Sequence, residues 1–272
     1  MRLVSFDGGE GPQAGELRDG RVFAFGGSDE GGLGALLRRG LPATGPAGEG
    51  LALADVRLLA PVGDPQKIVC IGLNYHAHAE EQGRETQETP AIFAKFANAL
   101  AAPGAEVELP PYSRRVDYEA EVAFVIADRC KDVAEAEAME HVAGYTLLND
   151  LSARDYQFKT PQWMPGKVFD GAAPCGPALV TPDEAGPHDA IEIRLTLNGE
   201  EMQHGSTADL VHSVPALVAY LSKLMTLEPG DIVSTGTPAG VGSLRDPKVW
   251  LAPGDEVVVS SPQLGELRTI LR

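Results

Sequence analysis

The chain has 272 residues, of which 43% are hydrophobic, enough to build a sizeable core. At about 150 residues per domain, this length predicts one large domain or a large domain with a small one. The 39 acidic residues outnumber the 22 basic ones, so the formal net charge is −17 at neutral pH. A surface this acidic repels phosphate backbones, and we expect no nucleic-acid partner.

The sequence carries no sign of export or membrane insertion. The first residues, MRLVSFDGGE, contain no apolar segment of the signal-peptide kind. No apolar run approaches the roughly 20 residues that a membrane helix needs. Cys70, Cys130 and Cys175 are widely spaced and odd in number, so we expect buried thiols and not disulfides. These features predict a cytoplasmic protein with no membrane partner.

The N-terminal part is predicted to form a small domain. RLVSF and GELRDGRVFAF alternate like strands, and Asp19-Gly20 is typical of a hairpin turn. A helix is expected over 28–39, capped by Ser28, followed by a Gly- and Pro-rich linker. We therefore predict a small domain over residues 1–60 and a larger one over 61–272.

The larger domain is predicted to be rich in strands. Helices are expected only at 76–82, 132–140, 152–157 and 213–224. Strand-like runs are more numerous: KIVCIGL, EAEVAFVIA, PALVTP, IEIRLTLNGE, DIVSTGT, DEVVVSSP and GELRTIL. Because strands and helices do not alternate regularly, this pattern favours a β-rich α+β fold over a doubly wound parallel sheet.

The segment LNYHAHAEEQG, residues 73–83, allows two readings of its histidines. On a strand, His76 and His78 would form a His-x-His metal pair, although the other four histidines fit no matching frame. On a helix, His78 and Glu81 share one face. Glu81 would then accept a hydrogen bond from one imidazole nitrogen and make the other a general base. The spacing alone leaves both readings open.

The segment VDYEAEVAFVIA, residues 116–127, is the stronger signal for a metal site. On a strand, Glu119 and Glu121 point to the same face as Asp117, while the opposite face is apolar. Two neighbouring buried carboxylates repel each other unless a positive charge lies between them. A hard divalent cation such as Mg²⁺ prefers oxygen ligands of this kind. The alternative is the solvated face of an edge strand.

Three other segments carry residues suited to such a site. Asp150 follows an apolar strand-like run, where it would either join the metal or cap the next helix. Lys167 lies between a Pro-Gly turn and an apolar run, where a solvated lysine is the ordinary outcome. Thr237 belongs to the loop STGTPAGVG, which lacks the P-loop pattern but could present its hydroxyl and backbone N–H groups to a small anion.

Together, these segments resemble the fumarylacetoacetate hydrolase family. The matching segments follow one another from about residue 66 to residue 260: IGLNYHAHAEE, VDYEAEVAFVI, NDLSARDYQ, PGKVFDGAAPCGP, LTLNGEEMQHGSTADLVHSV and LEPGDIVSTGTPAGVG. The resemblance implies that family's mixed β-sandwich roll with a small N-terminal domain. It also implies a homodimer.

The resemblance further implies a role for each matching residue. Three carboxylates would hold Mg²⁺ or Mn²⁺: Glu119, Glu121 and Asp150. His78 with Glu81 would activate water, and Lys167 would stabilise negative charge. Three more residues fall where the family contacts its ligand: Gln157, Thr237 and Arg154. The chain departs from some members at Ile71, where they carry a further aspartate ligand, and from many at Gly171, where they have threonine.

The activity that the resemblance implies is hydrolysis of a C–C bond in an acylpyruvate-type 2,4-dioxo acid. The reaction would pass through a metal-bound enolate, with water activated by His78. The alternatives on the same site are an isomerase of a 2-hydroxydienedioate from aromatic catabolism and a decarboxylase of a 2-oxo acid. In each case the expected partner is a small 2-oxo or 2,4-dioxo acid.

The segment after Glu81 is predicted to move. Gly83 and the polar run RETQET precede Pro90, and they offer few apolar side chains to anchor the chain. We expect residues 76–89 to form a lid that closes over the substrate and brings His78 to the reacting atoms. A permanently ordered helix is the alternative.

Overall fold

A computed structural model describes residues 1–26, 31–41, 45–46 and 48–272. Its α-helices are α1 Gly32–Arg39, α2 His76–Glu81, α3 Arg154–Gln157, α4 Pro182–Ala185 and α5 Val214–Leu224. Short 3₁₀ helices lie at Leu53–Asp55, Ala97–Ala99, Glu135–His141, Met164–Gly166, Thr207–Asp209 and Gly242–Leu244. The strands are β1 Arg2–Asp7, β2 Pro12–Arg18, β3 Arg21–Ala24, β4 Leu51–Ala52, β5 Arg57–Leu58, β6 Ile68–Gly72, β7 Ala91–Lys95, β8 Leu100–Ala101, β9 Glu106–Val107, β10 Val116–Asp117, β11 Ala120–Ile126, β12 Val142–Asn149, β13 Ser152–Ala153, β14 Ala173–Val180, β15 Glu192–Leu197, β16 Glu200–Ser206, β17 Ile232–Ser234, β18 Glu256–Ser261 and β19 Gly265–Leu271.

The strands form a large and a smaller sheet, together with the short pair β10–β13. The large sheet has the order β4-β3-β2-β1-β14-β12-β11-β17-β6-β7, with β5 beside β1 and β8 beside β14. The smaller sheet has the order β16-β15-β18-β19-β9. Most neighbours are antiparallel, but β17 runs parallel to β6. The predicted β-rich α+β fold with mixed sheets is therefore confirmed.

The N-terminal hairpin forms as predicted. Asp19 and Gly20 have φ values of 48° and 72°, so both central residues of the β2–β3 turn are left-handed, as a tight hairpin requires. Helix α1 occupies part of the predicted 28–39 range, but Ser28 and part of the linker lie outside the described residues. Strand β1 pairs with β14 and so extends the central sheet. The domain boundary at residue 60 stays a prediction.

The predicted helices form with one change of type. Helices α2, α3 and α5 lie within the ranges expected from the sequence, and the Ser213 hydroxyl caps α5 by accepting a hydrogen bond from the Ala216 N–H. The segment expected at 132–140 forms a 3₁₀ helix over Glu135–His141. The sequence pattern missed β7 and β16. β16 is a polar strand at a sheet edge, where no apolar alternation marks it.

The core surrounds the strands that carry the predicted metal ligands. Every residue of β11 is buried, because this strand lies between β12 and β17. The edge-strand alternative for Glu119 and Glu121 is therefore wrong. In the antiparallel register Ala120 faces Asn149, and the Asp150 N–H donates to the Glu119 carbonyl at 2.8 Å. This register brings the start of β11 and the end of β12 to one point.

Two further expectations concern the cysteines and the membrane. All three cysteines are buried free thiols, as predicted. In the residues that the structure describes, no helix is long and apolar enough to cross a bilayer.

Candidate active site

Three carboxylates converge where β11 begins and β12 ends. Glu119 and Glu121 flank the first residue of β11, and Asp150 directly follows β12. Their ligand oxygens lie within 4.8 Å of one another, and all three residues are buried. The alternative role of Asp150 as a helix cap is wrong, because Ala153 occupies the cap position of α3 and no side chain caps it.

Two buried lysines neutralise part of this cluster. The Lys167 ammonium lies 2.6 Å from Oε2 of Glu119 and 2.7 Å from Oδ2 of Asp150. The Lys95 ammonium lies 2.5 Å from Oδ1 of Asp150. Burial opposes the charged form of Lys167, but the charges of Asp150 and Glu119 outweigh it and hold the Lys167 pKa above its ordinary value. Lys167 is therefore a permanent cation in the site.

Arg154 links the cluster to helix α3. Its Nε donates to Oδ1 of Asp117 and its Nη2 to Oε1 of Glu119, each at 2.6 Å, while Nη1 donates to Oε1 of Gln157 at 2.9 Å. Burial would raise the pKa of Glu119, but the charges of Arg154 and Lys167 hold it below its ordinary value. Arg154 therefore keeps Glu119 ionised and fixes its direction.

Glu121 has no cationic contact among the described residues. Its Oε2 accepts a very short hydrogen bond from the Ser234 hydroxyl and another from the Gly236 N–H at 3.2 Å. Burial raises its pKa to about 8, and the negative charges of Asp150 and Glu119 add to the effect. No lysine or arginine in the described part of the chain therefore contacts this carboxylate to stabilise its charge.

The donor set fits a hard divalent cation. Together with Asp117, the site has four buried carboxylates, which face three buried cationic side chains: Lys95, Arg154 and Lys167. All the converging donors are carboxylate oxygens, which suit Mg²⁺ or Mn²⁺. A cation here would supply the charge that Glu121 lacks. The residues that would hold it are Glu119, Glu121 and Asp150.

Helix α2 places His78 beside the cluster in the helical geometry expected from the sequence. His78 is 4% exposed, and its Nδ1 lies 3.1 Å from Oε2 of Glu81. The Gly240 N–H donates to the other oxygen of Glu81 at 3.0 Å. The His-x-His reading is wrong: His76 is exposed, and the one ligand cluster found in the described residues contains no histidine.

The second nitrogen of His78 has a partner that the sequence pattern did not suggest. Nε2 of Gln82 lies 2.8 Å from Nε2 of His78. Because a carboxylate only accepts hydrogen bonds, Nδ1 of His78 carries the proton that faces Glu81. Nε2 then presents a lone pair, to which the Gln82 amide donates. Gln82 follows His78 by four residues, so helical spacing was the signal that could have indicated it.

The Gly-rich loop covers one side of the site. Gly236 has φ +97°, and a Cβ there would lie 2.8 Å from the carbonyl oxygen of Ile71, so only glycine allows this approach. The Thr237 hydroxyl accepts a hydrogen bond from the Gln203 amide at 2.8 Å. Since the Thr237 oxygen accepts, its own hydrogen remains available to a ligand.

A small inner pocket of about 40 Å³ joins these groups. Seven of the nine predicted site residues line it: His78, Glu119, Glu121, Arg154, Gln157, Lys167 and Thr237. Glu81 and Asp150 do not; each contacts a residue that does, His78 and Lys167 respectively. Phe93 and Trp163, 5.9 Å apart between ring centroids, add an apolar wall.

Lys95 is the residue that sequence reasoning most clearly missed. It lies in the run AIFAKFA, where it is the only charged side chain. A lone lysine within an apolar strand was the available signal, since burial of its ammonium requires a carboxylate partner. The structure supplies that partner in Asp150, 55 residues away.

Comparison with known proteins gives the family. A family model described as fumarylacetoacetate (FAA) hydrolase C-terminal matches residues 67–272. The chain belongs to the fumarylacetoacetate hydrolase family. It is 44% identical to the oxaloacetate tautomerase FAHD2A of Homo sapiens, a protein named as mitochondrial. The match covers 85% of this chain and 73% of that protein.

Solved structures of the family cover more than one reaction. A 5-carboxymethyl-2-hydroxymuconate delta-isomerase from Mycobacterium smegmatis is 36% identical, with a TM-score of 0.83 over 100% of this chain and 98% of that one. A maleylpyruvate hydrolase from Sphingobium, solved with manganese and pyruvate, is 29% identical, with a TM-score of 0.80. The match covers 100% of this chain and 98% of that one. This family of enzymes therefore includes tautomerases, isomerases and hydrolases, and one relative was solved in complex with manganese.

Proposed function

We propose that the protein catalyses keto–enol tautomerisation, or a related double-bond isomerisation, of a small 2-oxo acid with Mg²⁺ or Mn²⁺. The observation that carries this proposal is one pocket lined by His78, Lys167 and two carboxylates of the candidate cation site. Moving a proton between carbon and oxygen needs a base for the C–H bond and positive charge for the oxygen. This pocket offers both. The names of the tautomerase and isomerase relatives agree with it.

The contacts of this chain assign its part in the reaction. Glu81 orients His78 through Nδ1 and leaves Nε2 as the base. The substrate must displace the Gln82 amide from Nε2 before His78 takes a proton from the carbon beside the oxo group. His78 then delivers that proton to the oxo oxygen, or to another carbon of the chain in a double-bond isomerisation, while charged Lys167 stabilises the negative charge that develops on oxygen in between. A cation held by the carboxylates would act as a Lewis acid toward the oxo group.

Hydrolysis of an acylpyruvate C–C bond is the second candidate. It is favoured by the His78–Glu81 contact of 3.1 Å, because this contact holds the imidazole in the tautomer whose Nε2 could accept a proton from water. In both reactions the Gln82 amide must leave Nε2 of His78. Tautomerisation replaces the amide with the substrate alone, whereas hydrolysis needs an additional water in its place. This further requirement is why we place tautomerisation first.

The test measures products and not only substrate loss. The purified protein, loaded with Mg²⁺ or Mn²⁺, is assayed with oxaloacetate, acylpyruvates and hydroxymuconate-type acids, and again with EDTA. We expect metal-dependent loss of the enol absorbance without release of pyruvate or carbon dioxide. Pyruvate release as the main metal-dependent reaction would replace the proposal with hydrolysis, and carbon dioxide release with decarboxylation.

A substitution of Gln82 separates the two leading reactions. Gln82→Leu removes the amide from Nε2 of His78 and leaves the helical contact with Glu81 in place. If the amide keeps water away from the base, this variant should release more pyruvate from an acylpyruvate relative to its tautomerase rate. Glu85→Leu, three residues further on at an exposed position that does not line the pocket, is compared in the same assay to measure the effect of any change in this segment. An unchanged ratio in Gln82→Leu would remove our reason for placing tautomerisation first.

A further inference from the structure

The Gly-rich loop that follows β17 contacts two acidic residues of the site at once. The Gly236 N–H donates to Oε2 of Glu121 at 3.2 Å, and the Gly240 N–H donates to Oε1 of Glu81 at 3.0 Å. Thr237 lies between these two glycines and lines the inner pocket. The position of this loop therefore determines the direction of both carboxylates and of the Thr237 hydroxyl.

A buried glutamine on β16 holds the middle of this loop. Gln203 is 1% exposed, although β16 is the edge strand of the smaller sheet. Its Nε2 donates to the Thr237 hydroxyl oxygen at 2.8 Å and to the Pro238 carbonyl at 2.9 Å. A side-chain amide has two N–H donors, and here both are used on neighbouring residues of one loop.

The other end of the same amide is tied to the candidate cation site. The Gln203 carbonyl oxygen accepts from the Ala120 N–H at 2.9 Å. Ala120 lies between Glu119 and Glu121 at the start of β11, and its buried N–H requires an acceptor. Gln203 therefore connects the strand that carries two cation ligands with the loop that carries Thr237.

Close backbone packing leaves this arrangement little freedom. Gly240 has φ +106°, and a Cβ there would lie 2.2 Å from the Met202 carbonyl oxygen, so only glycine lets the loop approach β16 this closely. The Arg245 guanidinium donates to the Gly240 carbonyl at 3.1 Å and, by a very short bond, to the Met202 carbonyl. The loop and the strand therefore hold the Gln203 amide between them in one position.

The direction of one hydrogen bond distinguishes Thr237 from the hydroxyl residues that precede it. The Ser234 hydroxyl donates to a carboxylate, and the Thr235 hydroxyl donates to a backbone carbonyl. The Thr237 hydroxyl accepts from Gln203, and in the described part of the chain it has no acceptor for its own hydrogen. Because the oxygen already accepts from the amide, this hydrogen is directed away from Gln203.

We propose that Gln203 is a positioning residue for ligand binding. By donating to the Thr237 oxygen, it turns the Thr237 hydrogen toward the carboxylate of a bound 2-oxo acid. Gln203 does not itself line the inner pocket, so it acts only through Thr237. The inference rests on the proposed function in one respect, because an oxo acid must bind in this pocket.

A double-mutant cycle tests whether Gln203 acts through Thr237. Oxalate is titrated calorimetrically into protein kept saturated with Mg²⁺, so that a change in cation affinity does not count as a change in oxalate affinity. Gln203→Met and Thr237→Val should each weaken oxalate binding about tenfold, the scale of one hydrogen bond to a charged group. The double variant should bind oxalate no more weakly than Thr237→Val, because no hydroxyl is left to position. Losses that multiply would overturn the proposal.

Three further variants complete the cycle. Thr237→Ser keeps the hydroxyl and should bind oxalate nearly as well as the wild type. Gln203→Asn, whose shorter amide cannot span from Ala120 to the loop, should behave like Gln203→Met and replaces it in the cycle if the methionine variant does not fold. His204→Met, at the exposed position next along β16, is the control and should leave oxalate affinity unchanged. An equal loss in His204→Met, or unchanged affinity in Thr237→Val, would contradict the assignment.

Turnover separates this inference from the proposed function. With an oxo acid that the protein converts, Gln203→Met should raise KM about tenfold at nearly constant kcat, because a hydrogen bond to the carboxylate is the same before and during the reaction. If the protein converts none of the oxo acids, the proposed function fails, while the oxalate cycle still decides the role of Gln203. A fall in kcat at constant KM would refute a role in binding.

Discussion

Replacement of Lys95 by methionine should make the stability of the protein depend strongly on a divalent cation. The Lys95 ammonium and the Asp150 carboxylate are both fully buried and lie 2.5 Å apart. Removing one partner of a buried ion pair costs about 3–5 kcal/mol, because the other charge stays buried without compensation. We expect the lower end, about 3 kcal/mol, because Lys167 still contacts the second oxygen of Asp150 at 2.7 Å. Methionine keeps most of the side-chain volume, so a cavity adds little.

The assay is urea or thermal unfolding in EDTA and in excess Mg²⁺. In EDTA the Lys95→Met variant should lose roughly 6–12 °C in Tm, at about 2–4 °C per kcal/mol for a chain of this size. In Mg²⁺ it should recover more stability than the wild type does, because the cation now supplies the charge that Asp150 has lost. Lys131→Met, at an exposed position, is the control. A loss below about 1 kcal/mol in EDTA, or an equal Mg²⁺ effect in wild type and variant, would refute this reasoning.

Four other outcomes are expected. His78→Ala should lower kcat by about 10² or more, the usual scale for losing a general base, whereas His76→Ala, in the same helix but exposed, should change it little; equal losses in activity assays would contradict the dyad. Because the pKa of Glu121 is raised to about 8, a proton must leave when the cation binds. Calorimetry should therefore find Mg²⁺ affinity rising up to tenfold per pH unit below that pKa and levelling off above it; a flat profile would contradict this. Hydrogen exchange of residues 76–89 should slow when oxalate binds, and an unchanged rate would leave only a static helix. We also propose a homodimer, in part because Ile92 of the edge strand β7 and Phe96, directly after it, are exposed; sedimentation as a 28.7 kDa species would contradict it.

The sequence by itself determined those features that depend on backbone periodicity. The two-residue period of a strand places Glu119 and Glu121 on one face, and the helical period brings Glu81 beside His78. The Asp19-Gly20 turn follows from the positive φ that a tight hairpin needs and that these residue types tolerate. Each of these is a local property, so a short segment is enough to predict it. The resemblance to the family assigned roles to Asp150, Lys167, Gln157 and Thr237, because the matching motifs follow one another along the chain in the family's order.

Only the tertiary structure decided which side chains bind the buried charged groups of the site. Lys95 meets Asp150 across 55 residues, and Ser234 meets Glu121 across 113, so no local pattern links them. The pairing of Arg154 with Asp117 depends in the same way on strands β10 and β13 lying side by side. These contacts arise because burial in a sheet interior penalises an unpaired charge, and the partner is whichever side chain the strand order brings within reach. Strand order is a property of the whole chain, and it is therefore absent from any single segment.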